Sequence, residues 1–115
     1  MKLTIYHNPR CRKSREALTY LEENGHQPTV VDYQKELLSE NDLAQLLKEL
    51  DYTAEELVRK NEAIWKADFK GKNWSEEELI AALASHPKLI ERPIISNGNQ
   101  AVIARPLKKM IDFLK

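Results

Sequence analysis

The stretch YHNPRCRKSREAL holds the one cysteine of the chain, Cys11, among Arg10, Arg12, Lys13 and Arg15. A thiolate is the nucleophilic form of cysteine, and positive charge close to the sulfur favours it over the thiol. A thiol titrating near ~8.5 is about 3% ionised at pH 7, whereas one titrating near ~6.5 is about 75% ionised. A cysteine used as a small packing group would have apolar neighbours. Here the neighbours are arginines, and the breakers Asn8 and Pro9 precede them. Cys11 therefore reads as a reactive thiol. Ser14 stands where a C-x-x-C motif would place a second thiol, so the chain cannot resolve a mixed disulfide internally and needs an external thiol.

Three more arginines could serve such a nucleophile. Arg59 lies in LVRKNE, Arg92 precedes Pro93 in LIERPII, and Arg105 precedes Pro106 in IARP. A guanidinium gives two parallel hydrogen bonds to adjacent oxygens, which suits tetrahedral oxyanions. Each of these arginines, taken alone, fits a surface position equally well. Taken as a set they suggest an anion pocket, but spacing does not show that they converge. His7, four residues before Cys11, is open to two readings: support for the thiolate, or a cap on a strand end. His26 and His86 lack partners at metal-ligand spacing, so no metal site is expected.

These residues need elements to position them. KLTIYH reads as a strand over residues 2–7, and Ala17, Leu18 and Leu21 then fall at helical spacing from Cys11 to Asn24, with Gly25 as a C′ stop. PTVVDY, residues 28–33, reads as a second strand, and a right-handed crossover makes the pair parallel. Ser39 could cap a helix to about Leu50. Thr53 with Glu56, and Ser75 with Glu78, form capping-box patterns. Residues 39–85 thus predict three or more helices, interrupted by a loop KADFKGKNW, with Trp65 and Trp74 as core anchors. RPIIS and QAVIA flank the hairpin signal Asn97-Gly98, and RPLKKMIDFLK predicts a terminal helix with Pro106 in its first turn. The order β-α-β, helical block, β-β-α predicts an α/β chain with a thioredoxin-like fold. It is read as a single domain, 1–115, with a helical insertion at about 36–86.

The composition is neutral: 18 basic and 18 acidic residues give a formal net charge of zero. That provides no global field for nucleic acid or an anionic membrane, and no apolar run approaches the ~20 residues of a membrane span. A lone cysteine and no secretory signal point to a reducing, cytoplasmic setting. No bound cofactor is expected, since there is neither a metal-ligand set nor a nucleotide-binding glycine pattern.

IYHNPRCRKSREAL, LVRKNE, HPKLIERPII and AVIARP occur in order over nearly the whole chain. Together they resemble the glutaredoxin-linked arsenate reductase (ArsC) family, in its arsenate reductase-like branch. The resemblance implies that Cys11 is the nucleophile that forms a covalent thioarsenate. It further implies that Arg59, Arg92 and Arg105 surround the oxyanion, that His7 supports the thiolate, and that Pro93 is a cis-proline. Glutathione would then be the co-substrate and glutaredoxin the partner. Apart from the resemblance, the missing nucleotide-binding glycine pattern means that NADPH would enter only through partner enzymes, and the chain is expected to act as a monomer. The pattern departs where family members carry a small Gly-Thr pair after the cysteine and this chain has Arg12-Lys13; the chain also stops soon after the last helix begins. Two alternatives accompany this reading: a glutathione-dependent thiol reductase of another substrate, and a regulator of the Spx type that binds RNA polymerase.

Overall fold

The computed structural model describes residues 2–115. Two compact units account for them, one built from the segments up to Glu36 and from Arg92 to Lys115, the other from Leu37–Glu91.

The first unit is a four-stranded sheet. Strands β1 (Thr4–His7), β2 (Thr29–Asp32), β3 (Ile94–Ser96) and β4 (Ala101–Ile103) lie in the order β2-β1-β3-β4. β1 and β2 are parallel, as the crossover through α1 (Arg12–Glu23) requires, while β3 is antiparallel to both β1 and β4. Each strand is shorter than its apolar run because pairing, not propensity, ends a strand. The hairpin between β3 and β4 closes with Asn97 N–H donating to Gln100 O (3.0 Å), and Asn97 Oδ1 accepts from the Asn99 and Gln100 N–H groups. Gly98, at φ 96°, takes the left-handed conformation that a glycine adopts without strain. The core of this unit joins Leu3, Ile5 and Ile95 of the sheet region to Ala17 and Leu21 of α1 and Met110 of α5 (Leu107–Phe113). Pro106 is the residue that caps α5, one position ahead of its first turn.

The second unit is helical. α2 (Glu40–Leu50), α3 (Ala54–Leu57) and α4 (Glu76–Ser85) each start at a complete capping box: Ser39 with Asp42, Thr53 with Glu56, and Ser75 with Glu78. Both partners of a box are three residues apart, so the motif forms from local sequence alone. Leu43, Leu46, Leu47 and Leu50 bury one face of α2, and Leu79 and Leu83 bury that of α4, which packs against α2. The expected loop after Trp65 begins differently: Trp65–Phe69 is a turn of π-helix. Packing explains it. Phe69 stacks on Trp65 (centroids 5.6 Å apart, planes 5° apart), meets Trp74 at 5.1 Å, and meets His86 edge-on at 5.9 Å. Four rings spread over twenty-odd residues set the local winding, which no helical period in the segment predicts. Beyond it, Val58 and Ile90 form an antiparallel bridge, and Arg59 N–H donates to Leu89 O at 2.7 Å.

Candidate active site

Cys11 is the N-cap residue of α1, with extended backbone (φ −93°, ψ 122°) and a partly exposed side chain. It makes no side-chain cap bond, and the first turn of α1 carries no acidic residue. The N–H groups at that end therefore remain available to an anion, together with the partial positive charge of the helix terminus. The loop that delivers the cysteine is tied down at each residue. Cys11 N–H donates to Asn8 O (3.0 Å), Arg10 N–H to Asn8 Oδ1 (3.0 Å), and Arg15 Nη1 to Pro9 O (2.9 Å). Asn8 N–H in turn donates to Ser14 Oγ at 3.1 Å. Ser14 is fully buried. The residue at the vacant C-x-x-C position is thus the anchor of the turn, a role the sequence reading missed. Nothing in the letters marks it, because only burial assigns the hydroxyl to Asn8.

The sheet register gathers more of the site. Tyr6 pairs with Ile94, and Ile94 with Ile103, so these residues form one row across β1, β3 and β4. Because β3 runs against both neighbours, the chain leaves this row toward His7 and Cys11 from β1, toward Pro93 and Arg92 from β3, and toward Ala104 and Arg105 from β4. All three exits are at one end of the sheet. Ala104 N–H extends the ladder to Pro93 O (3.0 Å), and Arg105 Nη1 reaches Arg92 O at 3.5 Å, a weak contact. Both the Arg92–Pro93 and Arg105–Pro106 peptide bonds are cis. Arg92 Nε is buried and has no acceptor among the described residues. An unfilled buried donor costs about 1–3 kcal/mol.

His7 ends β1 on the same face as Ile5 and is 6% exposed. Burial lowers its pKa, with Arg15 adding to the effect and Asp32, its cross-strand partner, opposing it. Neutral imidazole is the favoured form near pH 7. Its Nδ1 is buried without a hydrogen-bond partner among the described residues.

Arg59 belongs to the helical unit, where two carboxylates hold it: Nη1 lies 2.7 Å from Glu62 Oε1, and Nε lies 3.4 Å from Glu91 Oε1. Glu62 is readable at i+3 from Arg59, whereas Glu91 is brought there by the bridge at Val58 and Ile90. Among the described residues no group of three His, Cys, Asp or Glu side chains is placed to hold a metal ion, and no helix is long and apolar enough to cross a membrane.

Comparison with known proteins decides the lineage. The family model described as "ArsC family" matches residues 6–113. The chain belongs to the ArsC family. Among its curated relatives, the uncharacterized protein YfgD of Escherichia coli (strain K12) is 42% identical over 115 residues, covering 98% of this chain and 97% of its own. A Haemophilus influenzae protein named arsenate reductase is 37% identical over 116 residues, covering 99% of this chain and 100% of its own. Among solved structures, one titled arsenate reductase from Vibrio cholerae superposes with a TM-score of 0.91 at 39% identity, covering 97% of each chain. This ArsC chain accordingly has the mixed α/β, thioredoxin-like architecture expected of it.

Proposed function

We propose that this protein is a glutathione- and glutaredoxin-dependent arsenate reductase with Cys11 as its nucleophile. The Cys11 thiolate attacks arsenic, an oxygen of arsenate leaves as water after taking up protons, and a thioarsenate forms on the sulfur. A glutathione thiolate then attacks the Cys11 sulfur. The S–As bond breaks with its electron pair going to arsenic, which departs as arsenite, and Cys11 is left as a mixed disulfide with glutathione. Glutaredoxin attacks the glutathione sulfur and returns Cys11 as thiolate. The requirement for external thiols follows from Ser14, which cannot resolve a disulfide.

The observation that carries this reading is the common end of the sheet from which Cys11, Arg92 and Arg105 emerge. An uncapped helix terminus at Cys11 supports it, since it offers N–H donors where charge builds up on the oxyanion. Family membership and relatives named arsenate reductase support the choice of substrate. In this reading Arg92 and Arg105 neutralise the oxyanion, and neutral His7 beside the turn accepts or donates a hydrogen bond without adding charge.

The test is arsenate-dependent NADPH oxidation in the presence of glutathione, glutaredoxin and glutathione reductase, comparing wild type with Cys11→Ser. Saturable turnover in the wild type and none in the variant is the expected outcome. Turnover that survives Cys11→Ser overturns the proposal.

A further inference from the structure

The helical unit carries a basic groove of its own. Residues 37–91 hold 12 acidic and 7 basic side chains, yet four of those seven, Lys60, Lys66, Lys70 and Lys72, line one groove of about 630 Å³. That volume is within the roughly 300–1,000 Å³ of small-molecule sites. The lining has one carboxylate, Glu55, which pairs with Lys60 at 2.8 Å. Lys66, Lys70 and Lys72 have no ion-pair partner among the described residues. Like charges gathered around one volume repel, and an anion placed between them removes that repulsion. The backbone fixes where the lysines stand. Lys66 lies within the π-helical turn Trp65–Phe69, and Lys70 N–H closes that turn on Trp65 O at 2.8 Å. Trp65 and Trp74 also line the groove, and Phe69 holds both: Trp65 stacks on its ring, and Trp74 Nε1 donates to its carbonyl at 2.9 Å.

We propose that this groove binds a compact polyanion, a small molecule carrying several phosphate or carboxylate groups. Lysine ammonium groups act as point charges, which suits clustered anionic groups and does not demand the planar two-bond geometry of an arginine site. Charge argues against a longer ligand. Glu76, Glu77 and Glu78 fill the first turn of α4 just beyond Trp74, so a nucleic-acid strand running past the groove meets repulsion. The rings argue the same way. Trp65 is buried and the indole N–H of Trp74 is already engaged, so together they form a fixed floor rather than an open face for stacking a base. Every residue of the groove belongs to Leu37–Glu91, so the proposal does not rest on the reading of Cys11.

The experiment titrates the full chain with tripolyphosphate and, separately, with citrate. Both tryptophans of the chain line the groove, so indole emission reports on it, and calorimetry supplies the stoichiometry. The expected result is saturable binding of one equivalent, weakened by added salt and unchanged in Cys11→Ser. Tighter binding of tripolyphosphate assigns the groove to phosphates, and tighter binding of citrate assigns it to carboxylates. Lys66→Ala, Lys70→Ala and Lys72→Ala should each weaken binding roughly two- to five-fold, as exposed charge pairs allow, and the triple variant roughly ten-fold or more. All three side chains are exposed, so circular dichroism should stay native. Lys88→Ala, in the same unit but outside the groove, should leave the affinity unchanged. Absence of saturable binding of both anions at millimolar concentration overturns the proposal. An equal loss in Lys88→Ala does so too, since it marks diffuse attraction to surface charge. Binding of an oligonucleotide or a polyglutamate peptide, with neither small anion bound, also overturns it by assigning the groove to a macromolecule.

Discussion

Ser14→Ala tests whether the turn at Cys11 is held from beneath. The substitution keeps a helix-compatible residue in a fully buried position and removes the acceptor for Asn8 N–H, a bond of 3.1 Å. Leaving a buried donor unpaired costs about 1–3 kcal/mol, and because Asn8 is only partly buried the lower part of that range, about 1–2 kcal/mol, applies here. With an unfolding entropy of about 2.1 cal/mol/K per residue, the 115-residue chain has roughly 0.24 kcal/mol/K, so Tm should fall by about 4–8 °C. The damage should not be confined to stability. Asn8 O accepts the Cys11 N–H and Asn8 Oδ1 the Arg10 N–H, so a looser Asn8 displaces the thiol from the helix terminus. Scanning calorimetry gives the Tm, and the rate of Cys11 alkylation by iodoacetamide well below Tm reports on the turn; the rate should change while circular dichroism stays native. Ser14→Thr, which retains a hydroxyl, should recover part of the alkylation behaviour. A Tm within 1 °C of wild type, together with an unchanged alkylation rate, would refute the assignment of Ser14 as anchor.

Other outcomes follow from the same geometry. Burial depresses the pKa of His7 in the folded chain below its unfolded value of 6.5, so the unfolded state binds the extra proton first. Stability should be flat above about pH 7 and decline as pH falls below 6.5 toward the folded pKa; His7→Gln should flatten this decline in pH-dependent urea titrations, and an unaltered slope would count against the buried neutral imidazole. Arg92→Ala and Arg105→Ala, which remove charge-assisted bonds of ~1.5–3 kcal/mol, should each lower kcat/KM for arsenate by roughly 10- to 150-fold. Tm should change less in Arg105→Ala, whose side chain is exposed, and loss of activity only in parallel with loss of fold would speak against an oxyanion role.

Much of the fold was legible because its signals are local. The capping boxes at Thr53 and Ser75 need only residues three apart, the Gly25 stop needs only a positive φ (82°), and the apolar spacing of Ala17 and Leu21 needs only a helical period. Cys11 was legible as a candidate for the same reason, since its basic flank and its place between strand and helix are written in consecutive residues. The sequence also presented Arg92 and Arg105 beside their prolines as candidates, and could go no further.

Tertiary structure decided the rest. Insertion of β3 between β1 and β4, antiparallel to each, turns three chain exits toward one end of the sheet; strand order depends on contacts between segments some ninety residues apart, which no local pattern encodes. Pairing of Arg59 with Glu91 depends on the bridge between Val58 and Ile90, and the π-turn at Trp65–Phe69 depends on Trp74 and His86 packing around Phe69. The anchoring of the Cys11 turn by Ser14 was hidden for a different reason: a serine is the same letter on the surface as in the core, and only burial assigns its hydroxyl to Asn8. Residue types along the chain therefore determined which groups are candidates for chemistry, and the pairing of distant segments determined which of them leave the sheet at the same end.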